Sequence, residues 1–109
     1  MKIYISGKIT GTTDYIERFA AAEEKLTAAG FTVINPARVN GELPQETTYE
    51  EYMAMSLTML DMCNAIYMLD GWEDSTGASI EFEKACGTKK MIFFESEVMD
   101  EIFNQEKAV

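Results

Sequence analysis

The sequence predicts an α/β domain built on a parallel sheet, and three observations carry that prediction. Short apolar runs alternate with segments of helical period along the 109 residues, and strands interleaved with helices imply parallel pairing through right-handed crossovers. The run Ala65-Ile66-Tyr67-Met68-Leu69 is continuously apolar, as strands covered on both faces are. Beyond it, the small-residue segment Ser75-Thr76-Gly77-Ala78-Ser79-Ile80-Glu81 opens a helix whose first turn carries a carboxylate. This sets Glu81 at the carboxyl edge of the sheet, where α/β folds keep their ligands.

Lys2–Ser6 is the first strand, closed by the turn Gly7-Lys8-Ile9-Thr10-Gly11. From Asp14 a helix is predicted on the spacing of Ile16, Phe19, Ala20, Leu26 and Ala29, with Asp14 and Glu17 as N-cap and its partner and Gly30 as the stop. Phe31-Thr32-Val33-Ile34 is the second strand, ended by Asn35-Pro36. Residues 37–47 are polar, carry Gly41 and Pro44, and read either as a lid or ligand wall or as a plain surface loop.

Thr48 and Glu51 form a capping-box signature for a helix to about residue 63. Its apolar residues surround nearly the whole circumference, so more than one side must be covered. The sheet covers one side, and a second subunit is the expected cover of the other. Residues 65–69 form the third strand, about 77–85 a helix stopped by Gly87, Met91-Ile92-Phe93-Phe94 the fourth strand, and Val98, Ile102 and Phe103 mark a short final helix.

The composition is that of one soluble globular domain, 1–109, with 47% hydrophobic and 26% charged residues. The apolar run at the N-terminus is too short for a signal peptide and no stretch approaches a membrane span, so a cytoplasmic protein is expected. The net charge of −10, with only nine basic residues, argues against nucleic-acid polymers and anionic membranes as partners. There is no histidine, and Cys63 and Cys86 lack metal-site spacing, so neither a zinc site nor a His-based triad is expected. No metal or cofactor is implied, and acid/base work falls to Asp, Glu, Tyr, Lys or a thiol.

Glu81 shares a helix face with Ala78 and Ala85, small residues of the kind that pack on a sheet. It is either an inward carboxylate, which needs partners or a function, or a first-turn acid favoured by the helix dipole. The Gly7 to Gly11 turn can bring backbone N–H groups to an oxyanion; its Gly-Lys-Ile-Thr lacks the earlier glycine of a P-loop. Trp72 stands past the third strand, able to stack on a planar base or simply to cover the sheet edge. Tyr4 is open to the same two readings.

Taken together, Tyr4-Ile5-Ser6-Gly7-x-Ile9-Thr10-Gly11, Asn35-Pro36-Ala37 and Cys63-Asn64-Ala65-Ile66-Tyr67-x-Leu69-x-Gly71-Trp72-Glu73-x-Ser75-x-Gly77-Ala78-x-x-Glu81 resemble the nucleoside 2-deoxyribosyltransferase-like superfamily. Within it they resemble the branch of domain of unknown function 4406. The resemblance implies a flavodoxin-like (Rossmann-like) doubly wound parallel sheet of four to five strands in a three-layer α/β/α domain. It implies Glu81 as the nucleophile at the anomeric carbon of a deoxyribose, with water or a second base completing hydrolysis or transfer.

By the same resemblance Tyr4, Ser6, Gly7, Lys8, Ile9, Trp72, Ser75 and Gly77 surround a nucleoside or nucleotide. Ser75 stands where transferases carry Asp and nucleotide N-hydrolases carry Ser, which favours a monophosphate. The sequence departs from relatives at Ser56 and Asn64, both usually Asp, leaving Asp61, Asp70 or Asp74 to act as the acid partner. Lys8 replaces a proline. Three classes of function follow: an N-glycosidase or transferase, a nucleotide-binding protein of the same fold without turnover, and a small oligomeric interaction module. A homodimer or higher homo-oligomer is expected.

Overall fold

The computed structural model describes residues 1–97. Four strands, β1 (Lys2–Ser6), β2 (Thr32–Ile34), β3 (Ala65–Met68) and β4 (Met91–Phe94), pair in parallel in the order β2-β1-β3-β4. Helices α1 (Tyr15–Ala28), α2 (Pro36–Gly41), α3 (Tyr49–Asp61) and α4 (Thr76–Gly87) connect them, with a 3-10 turn at Trp72–Asp74. The chain leaves β1 toward one edge and returns to build the other. The order therefore reverses between β1 and β3, which opens a crevice at their carboxyl ends.

The pleat of β1 and β3 sends alternate side chains to opposite faces. Ile3, Ile5, Ala65, Tyr67 and Leu69 pack with Phe19, Ala22 and Leu26 of α1 and Ala37 of α2. On the other face Tyr4, Ile66 and Met68 pack with Met59 and Leu60 of α3 and with Ala78 and Ala85 of α4. Two cores on one sheet make the three-layer arrangement, and they explain why the third strand reads as continuously apolar.

Local differences from the sequence expectation have physical causes. The face of α1 turned to the sheet runs through Phe19, Ala22 and Leu26, so Ile16 is 60% exposed and Ala20 is exposed too. Asp14 makes no side-chain cap bond, so the box expected with Glu17 does not form; Gly30 does end the helix, at φ +98°. Residues 37–47 are not all loop. Asn35 accepts a hydrogen bond from the Arg38 N–H and Pro36 occupies the first turn, which starts α2.

The capping box of α3 forms, with Thr48 Oγ1 accepting from the Glu51 N–H at 3.1 Å and Glu51 accepting from the Thr48 N–H at 2.8 Å. These bonds hold the Glu51 carboxyl below its ordinary range. The helix expected at Val98, Ile102 and Phe103 lies outside the described residues. Among the described residues no helix is long and apolar enough to cross a membrane, and no cluster of His, Cys, Asp or Glu could hold a metal ion.

Candidate active site

Tyr4 and Ser6 are two residues apart on β1 and so point to the same side of the sheet. Helix α4 lies over that side. Ser75 is its N-cap, accepting from the Ala78 N–H at 3.1 Å, and the start at Thr76 puts Glu81 in the second turn rather than the first. There it faces the sheet with Ala78 and Ala85, only 6% exposed, so a dipole effect at a solvated helix end does not account for it.

The buried carboxylate is met from below. The Tyr4 hydroxyl donates to Glu81 Oε2, and the Ser6 hydroxyl donates to Oε1 at 2.6 Å. Tyr4 and Ser6 are themselves almost wholly buried. Each carboxylate oxygen keeps lone-pair capacity beyond the one bond it accepts.

Burial pushes the Glu81 carboxyl above its ordinary value of 4.5, and the hydrogen bonds from Ser6 and Tyr4 oppose that rise. Burial also pushes the Tyr4 phenol well above 10.0, helped by the charge of Glu81 and by their shared hydrogen bond, against a smaller opposing hydrogen bond from Ser56. The raised phenol keeps its proton on Tyr4, so Glu81 is the member of the pair that ionises first.

Glu81 opens onto a cavity of about 480 Å³ at the crevice between β1 and β3, within the range of small-molecule sites. Gly7 and Ile9 of the first loop form part of its wall, Ser75 and Gly77 at the start of α4 another, and Asn40, Leu43 and Gln45 a third. Gly7 is needed for close approach: a Cβ there would lie 2.8 Å from Leu69 Cδ1 and 3.0 Å from Leu69 Cβ.

Helix α3 contributes Tyr49, Tyr52, Met53 and Ser56, an i, i+3, i+4, i+7 stripe that lies along one face. This accounts for much of the helix's apolar girth: one arc lines the cavity while Met59 and Leu60 enter the core. The capping box at Thr48 sets where the helix begins, but the sequence does not show which arc lines a cavity, and Tyr49, Tyr52, Tyr15 and Asn40 are site residues that the structure adds. Ser56 is buried and accepts from Asn40 Nδ2 at 3.3 Å.

Of the expected binding residues, Tyr4, Gly7, Ile9, Ser75 and Gly77 line the cavity with Glu81, and Ser6 sits behind the carboxylate. Lys8 is not among the lining residues. Trp72 stands apart, stacked on Phe82 at 4.6 Å between ring centroids and facing Phe94, where it covers the sheet edge. The three expected acid partners also lie outside the cavity. Asp61 pairs with Lys84 at 3.8 Å, Asp70 is exposed, its carbonyl accepting from Arg18 and its N–H donating to Glu95, and Asp74 is exposed in the 3-10 turn. Among the described residues Glu81 is the only charged side chain lining the cavity.

No curated protein matches the chain in sequence. In fold it is similar to the 2-deoxyribosyltransferase of the psychrotolerant bacterium Bacillus psychrosaccharolyticus, with a TM-score of 0.70 and 18% identity over 86% of this chain and 71% of that one. The shared architecture is the flavodoxin-like sheet with helices on both faces. The sequence model described as domain of unknown function, DUF4406, matches residues 1–94, and the chain therefore belongs to the DUF4406 family.

Proposed function

We propose that the protein cleaves or transfers the N-glycosidic bond of a (deoxy)nucleoside or its 5′-monophosphate, with Glu81 as the nucleophile. The observation that carries this reading is a buried carboxylate, gripped by Tyr4 and Ser6, that faces a ligand-sized cavity at the sheet's switch point. Such a group attacks the anomeric carbon as the base departs, passing through an oxocarbenium-like state to a glycosyl ester. Water then gives a hydrolase, and a second base gives a transferase. The fold it shares with an enzyme named for deoxyribosyl transfer supports the same chemistry.

Two hydroxyl donors stabilise the charge on Glu81 without neutralising it, which suits a nucleophile that must be ionised yet close to its target. Ser75 and Gly77 at the start of α4 supply the positively polarised wall, suited to a 5′ hydroxyl or phosphate. Incubation with a panel of deoxynucleosides and monophosphates, with and without a free acceptor base, tests the reading. Base release is expected and should vanish in Glu81→Ala; no release from any member of the panel overturns it.

A second reading, a nucleotide-binding protein without turnover, is favoured by one observation. No second carboxylate lines the cavity among the described residues, and general acid assistance is worth about 10²–10⁴ in rate. Saturable binding without base release would select this reading.

We also infer a cytoplasmic homodimer. Met55 and Met62 remain 41% and 56% exposed on the outer arc of α3 and its C-cap, an apolar surface a second copy would cover. Sedimentation at micromolar concentration should give a dimer, and Met55→Glu should shift it to monomer. With a net charge of −10, no nucleic-acid polymer is proposed as a partner.

A further inference from the structure

We propose that the cavity selects N-glycosides whose base already carries a positive charge, and that Glu81 displaces this base as a neutral molecule. The inference rests on the glycosidic reading above and names its substrate class.

Two features of the cavity point to a cation. Its only charged lining side chain among the described residues is an anion, and no Lys or Arg lines it. Tyr15, Tyr49 and Tyr52 line the same cavity, and aromatic faces of this kind attract a cationic ring. A buried carboxylate held by two hydroxyls alone gains from a cation, whereas a neutral ligand leaves its charge uncompensated.

The chemistry of departure points the same way. A neutral purine or pyrimidine leaves as an anion unless an acid protonates it, and Asp61, Asp70 and Asp74 are all engaged elsewhere or exposed outside the cavity. A quaternised ring needs no proton. As Glu81 Oε forms its bond to the anomeric carbon, the C–N bond breaks and its electron pair cancels the positive charge on the ring nitrogen. Water then attacks the same carbon, the ester bond breaks, the electrons return to the carboxylate, and the water's proton goes to solvent. The balance is one cationic glycoside and one water to one neutral base, one free sugar and one proton.

The test uses the full chain and a matched pair, N7-methyl-2′-deoxyguanosine and 2′-deoxyguanosine, with the spontaneous reaction subtracted. The methylated nucleoside should show kcat/KM at least about 100-fold higher, the value of the acid it does not need, with one proton released per turnover. Binding separates selection from intrinsic reactivity: 1-methylnicotinamide should bind about tenfold tighter than nicotinamide, and Glu81→Gln should reduce the difference severalfold. Equal cleavage of the pair overturns charge selection but leaves the glycosidic reading intact. Equal binding of the two nicotinamides also overturns it, as does cleavage of neither nucleoside, whereas the glycosidic reading falls only if the wider panel releases no base.

Discussion

Tyr4 and Glu81, 77 positions apart in the chain, share a buried hydrogen bond in which the phenol donates to the carboxylate. The contact joins β1 to α4 and sets the phenol proton against the carboxylate of the cavity. Because both groups are buried, the bond acts on the carboxylate with little solvent screening.

Removing that donor should raise the Glu81 carboxyl further. A hydrogen bond to the charged form lowers an acid's pKa, and burial, the dominant cause here, already raises it. In Tyr4→Phe the ascending limb of the kcat/KM profile should move to higher pH. Activity at neutral pH should fall by about tenfold or more, as expected for a charge-assisted bond worth about 1.5–3 kcal/mol. Ser6→Ala should move the limb in the same direction. Titration of the Glu81 carboxyl carbon by NMR checks the shift independently of turnover.

The same burial has a cost in stability, and its sign can be worked out. The folded carboxyl titrates above its ordinary value of 4.5, so between the two values the folded state holds more protons than the unfolded state. Its contribution is fully present below 4.5 and is lost as pH rises through the raised folded value. Glu81→Gln removes the titration, so the variant should melt above the parent at pH 8. The gap should shrink as pH falls toward 4. A calorimetric series across that range measures it, and base release should be lost at every pH.

Much of this was legible in residue order. The apolar run at Ala65, the small-residue turn and the face shared by Ala78, Glu81 and Ala85 offer an inward carboxylate as one of two readings, and the 6% exposure of Glu81 decides for it. Asn35-Pro36 ends β2 at Ile34 as the sequence indicates, and it also starts α2, a second role that the strand reading does not contain. What order alone does not fix is side-chain direction beyond the strand. Trp72 has the composition of a base-stacking residue, yet Phe82 and Phe94 offer it apolar contact at the sheet edge. The cavity stripe of α3 was hidden because core-facing and cavity-facing arcs are both apolar, and hydropathy does not separate them.

The first loop tolerates no side chain at Gly7. A methyl group there would meet Leu69 at its Cβ as well as at Cδ1, so rotation of the leucine does not relieve the clash. Gly7→Ala should cost about 1–3 kcal/mol, as overpacking does, and lower Tm by several degrees. Leu69→Ala in the same chain should recover part of the space at its own cost in packing. The double variant should therefore melt above the sum of the two single losses.

Ser56 offers a gain of function rather than a loss. It is buried, lines the cavity with Tyr4 and Glu81, accepts from Asn40 and influences the Tyr4 phenol, so a carboxyl there would lie near Glu81 with the phenol between them. Two carboxyls so placed resist double ionisation, and the one less well supplied with donors holds its proton toward neutral pH. Glu81 has Tyr4 and Ser6, so the new group becomes the acid. Ser56→Asp should raise the turnover of neutral deoxynucleosides by about 10²-fold, the lower range of general acid assistance, while changing the cleavage of a cationic nucleoside little. The profile for the neutral substrate should become bell-shaped, with the new acid forming its descending limb. If neutral and cationic substrates gain equally, proton delivery is not what the natural cavity lacks.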